Sequence, residues 1–200
     1  MKKVFFALAI AIGVSSAAQA QVTLGIKAGA SLANYNGDDW KDMDSKGLVG
    51  FHGGVTLNAP ITSDGFFSIQ PELLYSQKGW RLEEDGEKFT SRVHNIDLPI
   101  LARINADGFI FEAGPQIGFL AGATTKYEGS LGEAKDSDTD GYNKLDFGYV
   151  AGVGYQFSSG PNLGIRYNGG ISGVFEKVDG ESLKVHNSVF QFYVGYTFKK

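Results

Sequence analysis

Read in steps of two, the chain sorts its side chains onto two faces. From residue 22 to 35 one face carries Val22, Leu24, Ile26, Ala28, Ala30 and Leu32, and the other Thr23, Gly25, Lys27, Gly29 and Ser31. The same alternation returns in seven further segments, at about 48–58, 66–78, 93–104, 109–122, 146–157, 162–173 and 188–198. Successive side chains of a β-strand point to opposite faces, so a period of two predicts strands. Eight strands and no long helix are expected.

The composition of the two faces changes the meaning of the pattern. One face of every segment is free of charge. The in-strand charges lie on the other: Lys27, Glu72, Lys78, Asp97, Arg103, Glu112 and Arg166, together with His52 and Gln116. That second face is otherwise built from Gly, Ser, Gln and Asn. The wet face of a soluble sandwich or lipocalin would be rich in Lys and Glu. Small polar residues with isolated charges suit a narrow, crowded interior, which leaves the apolar face pointing outward. The segments also exceed the usual strand of about 5–6 residues and meet the roughly 9–11 that a tilted membrane strand needs.

Connections alternate in length. Those at 36–47, 79–92, 123–145 and 174–187 are long, and those at 59–65, 105–108 and 158–161 are short. Long loops at one end and tight turns at the other characterise outer-membrane barrels. An even strand number then puts both termini at the tight-turn end, the periplasm. Phe66, Phe67, Phe109, Tyr155, Phe157, Tyr196 and Phe198 gather near the short turns. Tyr35, Phe51, Tyr75, Trp80, Phe119, Phe147 and Tyr149 lie toward the long loops, as two interfacial belts would. Lipid offers no hydrogen-bond partner to a sheet edge, so the last strand must pair with the first. The expected fold is all-β, an eight-stranded antiparallel up-and-down transmembrane β-barrel over residues 21–200. Pro71, Pro99 and Pro115 fall inside the third, fourth and fifth strands. A missing ladder donor at each predicts a local bulge or register irregularity.

The first twenty residues read as a signal peptide. Lys2 and Lys3 precede an apolar run over 4–14, and Ala18-Gln19-Ala20 fits a small-x-small cleavage pattern with Gln21 as the first mature residue. Export with the strand pattern points to the bacterial outer membrane. The absence of cysteine excludes disulfides and thiolate metal sites. Without Lys2 and Lys3, 16 basic residues of the 18 face 22 acidic ones, a charge of −6 that argues against nucleic acid as a partner.

Eight strands leave an interior only wide enough for side chains. The inward cations Lys27, Lys78, Arg103 and Arg166 nearly balance Glu72, Asp97 and Glu112. A network of paired charges and amides is expected there, joined by His52 and Gln116, rather than an open pore. The run 136–141 opens like a calcium loop, with Asp136, Asp138 and Asp140 as candidate metal ligands. Phe147 stands at the twelfth position, where the closing acid belongs, so a solvated loop tip is the favoured reading. His52 and His94, the latter near Asp97 in sequence, invite comparison with barrel lipid hydrolases that set Ser, His and an acid at the rim. No nucleophile has a matching pattern, so neither enzymatic activity nor a cofactor is expected. Gly152-Val153-Gly154 lacks the βαβ setting of a dinucleotide site.

Four stretches carry a family resemblance: QPELLYSQKGW (70–80), HNIDLPILARI (94–104), FEAGPQIGFLAG (111–122) and LGIRYNGGISGV (163–174). They resemble landmarks of the PorT-like, porin-family outer-membrane β-barrel proteins of Bacteroidetes-type bacteria. The resemblance covers the whole mature chain. It implies the same barrel, accommodates prolines inside strands, and suggests a link to protein secretion through the family's namesake. Such barrels often end on an aromatic residue, whereas here Phe198 is followed by Lys199 and Lys200. The expected function is an integral outer-membrane barrel with a packed polar interior and four long extracellular loops, in a structural or interaction role. Its expected partners are outer-membrane lipid and an extracellular or secretion-machinery protein meeting loops 36–47, 79–92, 123–145 and 174–187. The alternatives are a narrow porin-like channel or secretion accessory, and an exported soluble lipocalin-like binder.

Overall fold

The computed structural model describes residues 22–84, 86–129, 132–177 and 180–198. The expected signal peptide lies outside them. The described strands are β1 (Thr23–Asn36), β2 (Ser45–Pro60), β3 (Phe67–Glu84), β4 (Glu87–Ala106), β5 (Phe109–Gly129), β6 (Gly132–Asp136), β7 (Leu145–Gln156), β8 (Pro161–Gly170) and β9 (His186–Thr197). Eight of them pair antiparallel in the order β1-β2-β3-β4-β5-β7-β8-β9, and β9 returns to β1, from Gly25↔Thr197 to Asn36↔His186. The ring is closed. β6 lies outside it, pairing with the far end of β5 from Thr125↔Asp136 to Gly129↔Gly132.

The pleat of the ring decides which residues meet which medium. Ile26, Ile100, Ile165 and Phe192 stand half exposed on the outer wall. Their immediate neighbours Lys27, Leu101, Arg166 and Gln191 are buried inside it. This inverts the economy of a soluble barrel. A continuous apolar wall of this kind is stable only against hydrocarbon.

The turns explain how the chain reverses at the short end. β4 passes to β5 through Asp107 and Gly108 alone, with φ of 51° and 94°. Two successive positive φ values define the type I′ hairpin turn, whose twist matches the strands it joins and which favours Asp-Gly. Gly108 donates its N–H to Asn105 Oδ1 at 2.9 Å, and a Cβ there would meet the Tyr155 ring at 2.8 Å.

Three expectations need correction. First, 79–92 is not a loop. β3 and β4 continue as a paired hairpin from Trp80↔Ser91 to Glu84↔Glu87. Likewise β5 runs on to Gly129 and folds back as β6 within 123–145. Polar strand residues outside the membrane lose the greasy alternation that marks strands in the sequence, so these extensions resemble loops. Second, the prolines do not shift the register. The ladder skips from Pro71↔Ile100 to Leu74↔Asp97 and from Pro99↔Gln116 to Ala102↔Ala113, resuming in phase each time. A lost donor interrupts the ladder locally without changing the residue count. The register shifts lie elsewhere, between Gly47 and His52 of β2 and at His94/Asn95 of β4, opposite an extra Ala121 on β5. Third, Tyr35 and Trp80 do not join an outer aromatic belt; both turn into the long-loop mouth.

Ile165 sits at the middle of β8 on the outer wall. Replacing it with Arg is expected to destabilise the barrel by about 2–4 kcal/mol in phospholipid vesicles, the cost of a cation near the bilayer midplane. A half-exposed position on a water-facing wall would change by at most about 0.5 kcal/mol. Urea unfolding in vesicles distinguishes the two.

Candidate functional site in the barrel interior

Each inward charge is placed by the pleat of its own strand, and all but Arg103 meet an opposite charge from another strand. At mid-height Arg166 of β8 reaches Glu72 of β3 at 2.9 Å and Glu112 of β5 at 3.0 Å. Lys27 of β1 joins the same pair of carboxylates, at 2.7 Å from Glu72 and 3.9 Å from Glu112. The Tyr193 ring of β9 lies beneath both cations, 4.1 Å from Lys27 Nζ and 4.9 Å from the Arg166 guanidinium carbon. Strands on opposite walls are thereby tied through a single cluster of two cations and two carboxylates. Gln116 of β5 accepts from Asn168 Nδ2 at 3.3 Å beside it.

Toward the long-loop end Lys78 bridges Asp97 at 3.1 Å and Asp146 at 2.8 Å. Ser76 donates to Asp97, and Asn187 donates to Asp146 at 3.0 Å. Toward the short-turn end Arg103 donates to the side-chain carbonyls of Gln70 and, at 3.0 Å, Gln156. Gln70 in turn donates to Glu72 at 2.8 Å. Burial without a partner would cost several kcal/mol per charge. Four cations and four carboxylates are thus equal in number inside the ring, with Arg103 held by amide carbonyls instead of a carboxylate.

Sequence reasoning missed Asp146. It stands on the inward parity of β7 with Gly148, Val150 and Gly152, at the very start of the segment, where only its even number marks it. It also missed a cap over the long-loop mouth. Tyr35, Trp40, Val174 and Val185 form a buried apolar cluster, with Trp80, Tyr142 and Phe175 packed against it. Trp40 meets Tyr35 and Trp80 edge-on, each at 5.2 Å between ring centroids, and donates its indole N–H to Ser45 Oγ at 2.8 Å. The inward parity of Tyr35 and Trp80 was the available signal. Trp40 carries none, because it comes from an irregular segment.

His52 and His94 are not arranged as a Ser-His-acid triad. His52 is 1 % exposed and stands opposite Ser76 in the β2–β3 ladder. Neither of its ring nitrogens has a hydrogen-bond partner among the described residues, and the Ser76 hydroxyl is directed to Asp97 instead. A triad requires the serine to donate to the histidine and the histidine to the acid. His94 faces the other side of β4 from Asp97, with its Nδ1 2.6 Å from the Tyr75 hydroxyl. Asp136, Asp138 and Asp140 do not converge. Asp136 Oδ1 accepts from Ser137 N and Asp138 Oδ1 from Asp140 N. Among the described residues no three His, Cys, Asp or Glu side chains form a group able to hold a metal ion.

A closed antiparallel ring, apolar outside and ionic inside, defines an integral β-barrel of the bacterial outer membrane. The match over residues 15–176 to the family described as outer membrane protein beta-barrel domain shows that the chain belongs to that family. No curated protein matches it in sequence. Among solved structures it is similar to Ail, the attachment invasion locus protein of Yersinia pestis. In complex with the heparin analogue sucrose octasulfate, Ail shares 16 % identity and a TM-score of 0.51, over 88 % of this chain and 99 % of that one. Ail without that ligand gives 14 % identity and a TM-score of 0.50, over 88 % and 98 %. At such identities the likeness concerns the fold.

Arg166 is the tightest test of the interior. Arg166→Met leaves Glu72 and Glu112 sharing Lys27 alone, and is expected to cost about 3–5 kcal/mol, the penalty for removing one partner of a buried ionic cluster. The measurement is the urea midpoint of the folded, heat-modifiable band on unboiled gels.

Proposed function

We propose that the protein is a non-conducting outer-membrane barrel that acts through the surface of its long-loop end, with the short turns and both termini in the periplasm. One observation carries this reading: the lumen is filled twice, by the ion-paired network at mid-height and by the aromatic cap above it. A conducting pore needs a continuous wet path, whereas Arg166, Lys78 and His52 are each at most 2 % exposed. That no serine is wired to His52 or His94 supports a reading without catalysis.

The long-loop end is then the part free to meet a partner. Segments 37–46, 81–88, 126–144 and 176–184 hold sixteen acidic residues and nine basic ones. Ail has been seen with a polysulfated heparin analogue. A polyanion is not complementary to the acidic end of this chain; a partner with a basic or neutral face is. The PorT-like motifs support a narrower form of the same reading, in which that partner belongs to protein-secretion machinery.

Planar bilayers test the closed lumen. Purified protein is expected to give no steady conductance steps. Large, long-lived steps would overturn the closed-lumen reading in favour of a narrow channel.

The surface at this end also titrates. Glu83 is held below the usual carboxylate range by a hydrogen bond from Lys46 at 2.6 Å, and Glu128 by one from Lys126. A depressed carboxyl stabilises the folded form above its unfolded pKa of about 4.3, and that contribution fades as pH falls through the folded value. Hydrogen exchange in the β3–β4 and β5–β6 hairpins is therefore expected to rise, relative to the barrel wall, once pH drops below about 4. Glu83→Gln removes the dependence from the first hairpin.

A further inference from the structure

Three of the four interior cations lie within hydrogen-bonding distance of a carboxylate: Lys27 at 2.7 Å, Lys78 at 2.8 Å and Arg166 at 2.9 Å. Arg103 is the exception. It is 6 % exposed, and no carboxylate of the described residues comes within ion-pair distance of it. Its hydrogen bonds among the described residues go to two neutral carbonyl oxygens, of Gln70 and Gln156. A guanidinium has five N–H donors in a rigid fork and does not give up its charge. The local charges follow the same division. The mid-height cluster is neutral, Lys78 with Asp97 and Asp146 leaves a net negative charge toward the long loops, and Arg103, opposite Glu112 in the β4–β5 ladder but beyond ion-pair distance of it, leaves a net positive charge toward the short turns.

That positive end is open. Arg103 forms part of the wall of a cavity of about 470 Å³ at the short-turn mouth, with Asn58, Ser68, Asn105, Gln156 and Thr197 among its lining residues. These are hydroxyl and amide groups, already orienting one another: Asn58 Nδ2 donates to Ser68 Oγ at 2.8 Å, and Thr197 Oγ1 to Gln156 Oε1 at 3.3 Å. Among the described lining residues the one carboxylate belongs to Asp107, in the exposed β4–β5 turn.

We propose that this vestibule binds a tetrahedral oxyanion of the phosphate class, with Arg103 as its cation and the surrounding amides and hydroxyls as neutral donors. Two oxygens of such an anion match the guanidinium fork. Ser68 and Asn105 supply hydroxyl and amide donors, and the Gln70 and Gln156 carbonyls, one on each terminal nitrogen, fix the plane of the guanidinium. The bound charge would complete the pairing that the other three interior cations find within the chain. The same chemistry is presented by free phosphate and by a lipid headgroup phosphate, and both reach the membrane interface at this mouth. The inference stands on the geometry of the short-turn end and is independent of whether the lumen conducts.

The experiment is an amide chemical-shift titration of the refolded full mature barrel in maltoside micelles. Inorganic phosphate is one titrant, short-chain phosphatidylglycerol the other, and sodium chloride at matched ionic strength the control. Saturable shifts are expected at Asn105, Gly108 and Thr197, absent with chloride and absent from the long-loop end. Saturation by inorganic phosphate identifies a soluble anion as ligand, and saturation by the lipid alone identifies a headgroup. Arg103→Gln is expected to weaken binding about tenfold or more, the loss of charge-assisted hydrogen bonds. Arg103→Lys, which keeps the charge and loses the fork, is expected to bind with intermediate strength and serves if the glutamine variant does not fold. The proposal is overturned if neither titrant gives saturable shifts at the vestibule, or if binding is undiminished when Arg103 is replaced.

Discussion

Hydrocarbon cannot hydrogen-bond to a peptide, and this constraint organises the rest of the molecule. An open edge in the bilayer would leave a row of N–H and C=O groups unpaired, so β9 must return to β1. Closing the ring at eight strands fixes its bore. The pleat then sends every second side chain into a space too narrow for bulk water. Charges carried there need partners, and for all but Arg103 the chain supplies opposite charges, as with Arg166 from β8 between Glu72 from β3 and Glu112 from β5. Outer wall and inner network follow from one alternation in the sequence.

The network does more than neutralise charge. In an antiparallel ring each strand is hydrogen-bonded only to its two neighbours. Contacts through the lumen are what connect strands that the ladder leaves apart. The Lys27–Glu72–Arg166–Glu112 cluster joins β1, β3, β5 and β8 at one level, and Lys78 joins β3, β4 and β7 at another. The aromatic cap closes the long-loop mouth with segments that are not part of the ring. At the opposite mouth Arg103 borders an open vestibule lined by amides and hydroxyls together with Tyr155 and Phe157. The two ends of the barrel are chemically distinct.

How much of this was legible depends on where the medium imposes a pattern. Within the bilayer the alternation is enforced at each position, so Ile26 beside Lys27 and Ile165 beside Arg166 could be read directly. Beyond the bilayer that enforcement stops. Residues 79–92 remain a paired hairpin, yet their sequence is mixed and charged and resembles a loop. Parity also fails to carry across irregularities: the extra Ala121 on β5 reverses which residues point inward, so Ala123 is buried where the earlier phase would put it outside. Proline had the opposite effect, since Pro99 and Pro115 break ladder bonds without moving the register. Among the interior residues, those inside the alternating segments were evident, whereas Asp146 at a segment's edge and Trp40 in an irregular stretch were fixed by tertiary position alone.

The central claim is the direction in which β8 sends its side chains, and site-directed spin labelling measures it. The chain has no cysteine, so single cysteines placed in turn from Asn162 to Gly169 can each carry one nitroxide. In phospholipid vesicles, labels at 163, 165 and 167 are expected to collide freely with oxygen and little with a water-soluble nickel complex. Labels at 162, 164, 166 and 168 are expected to collide poorly with both. An alternation of the reverse phase, with the odd positions shielded and the even ones open to the nickel complex, would contradict the account.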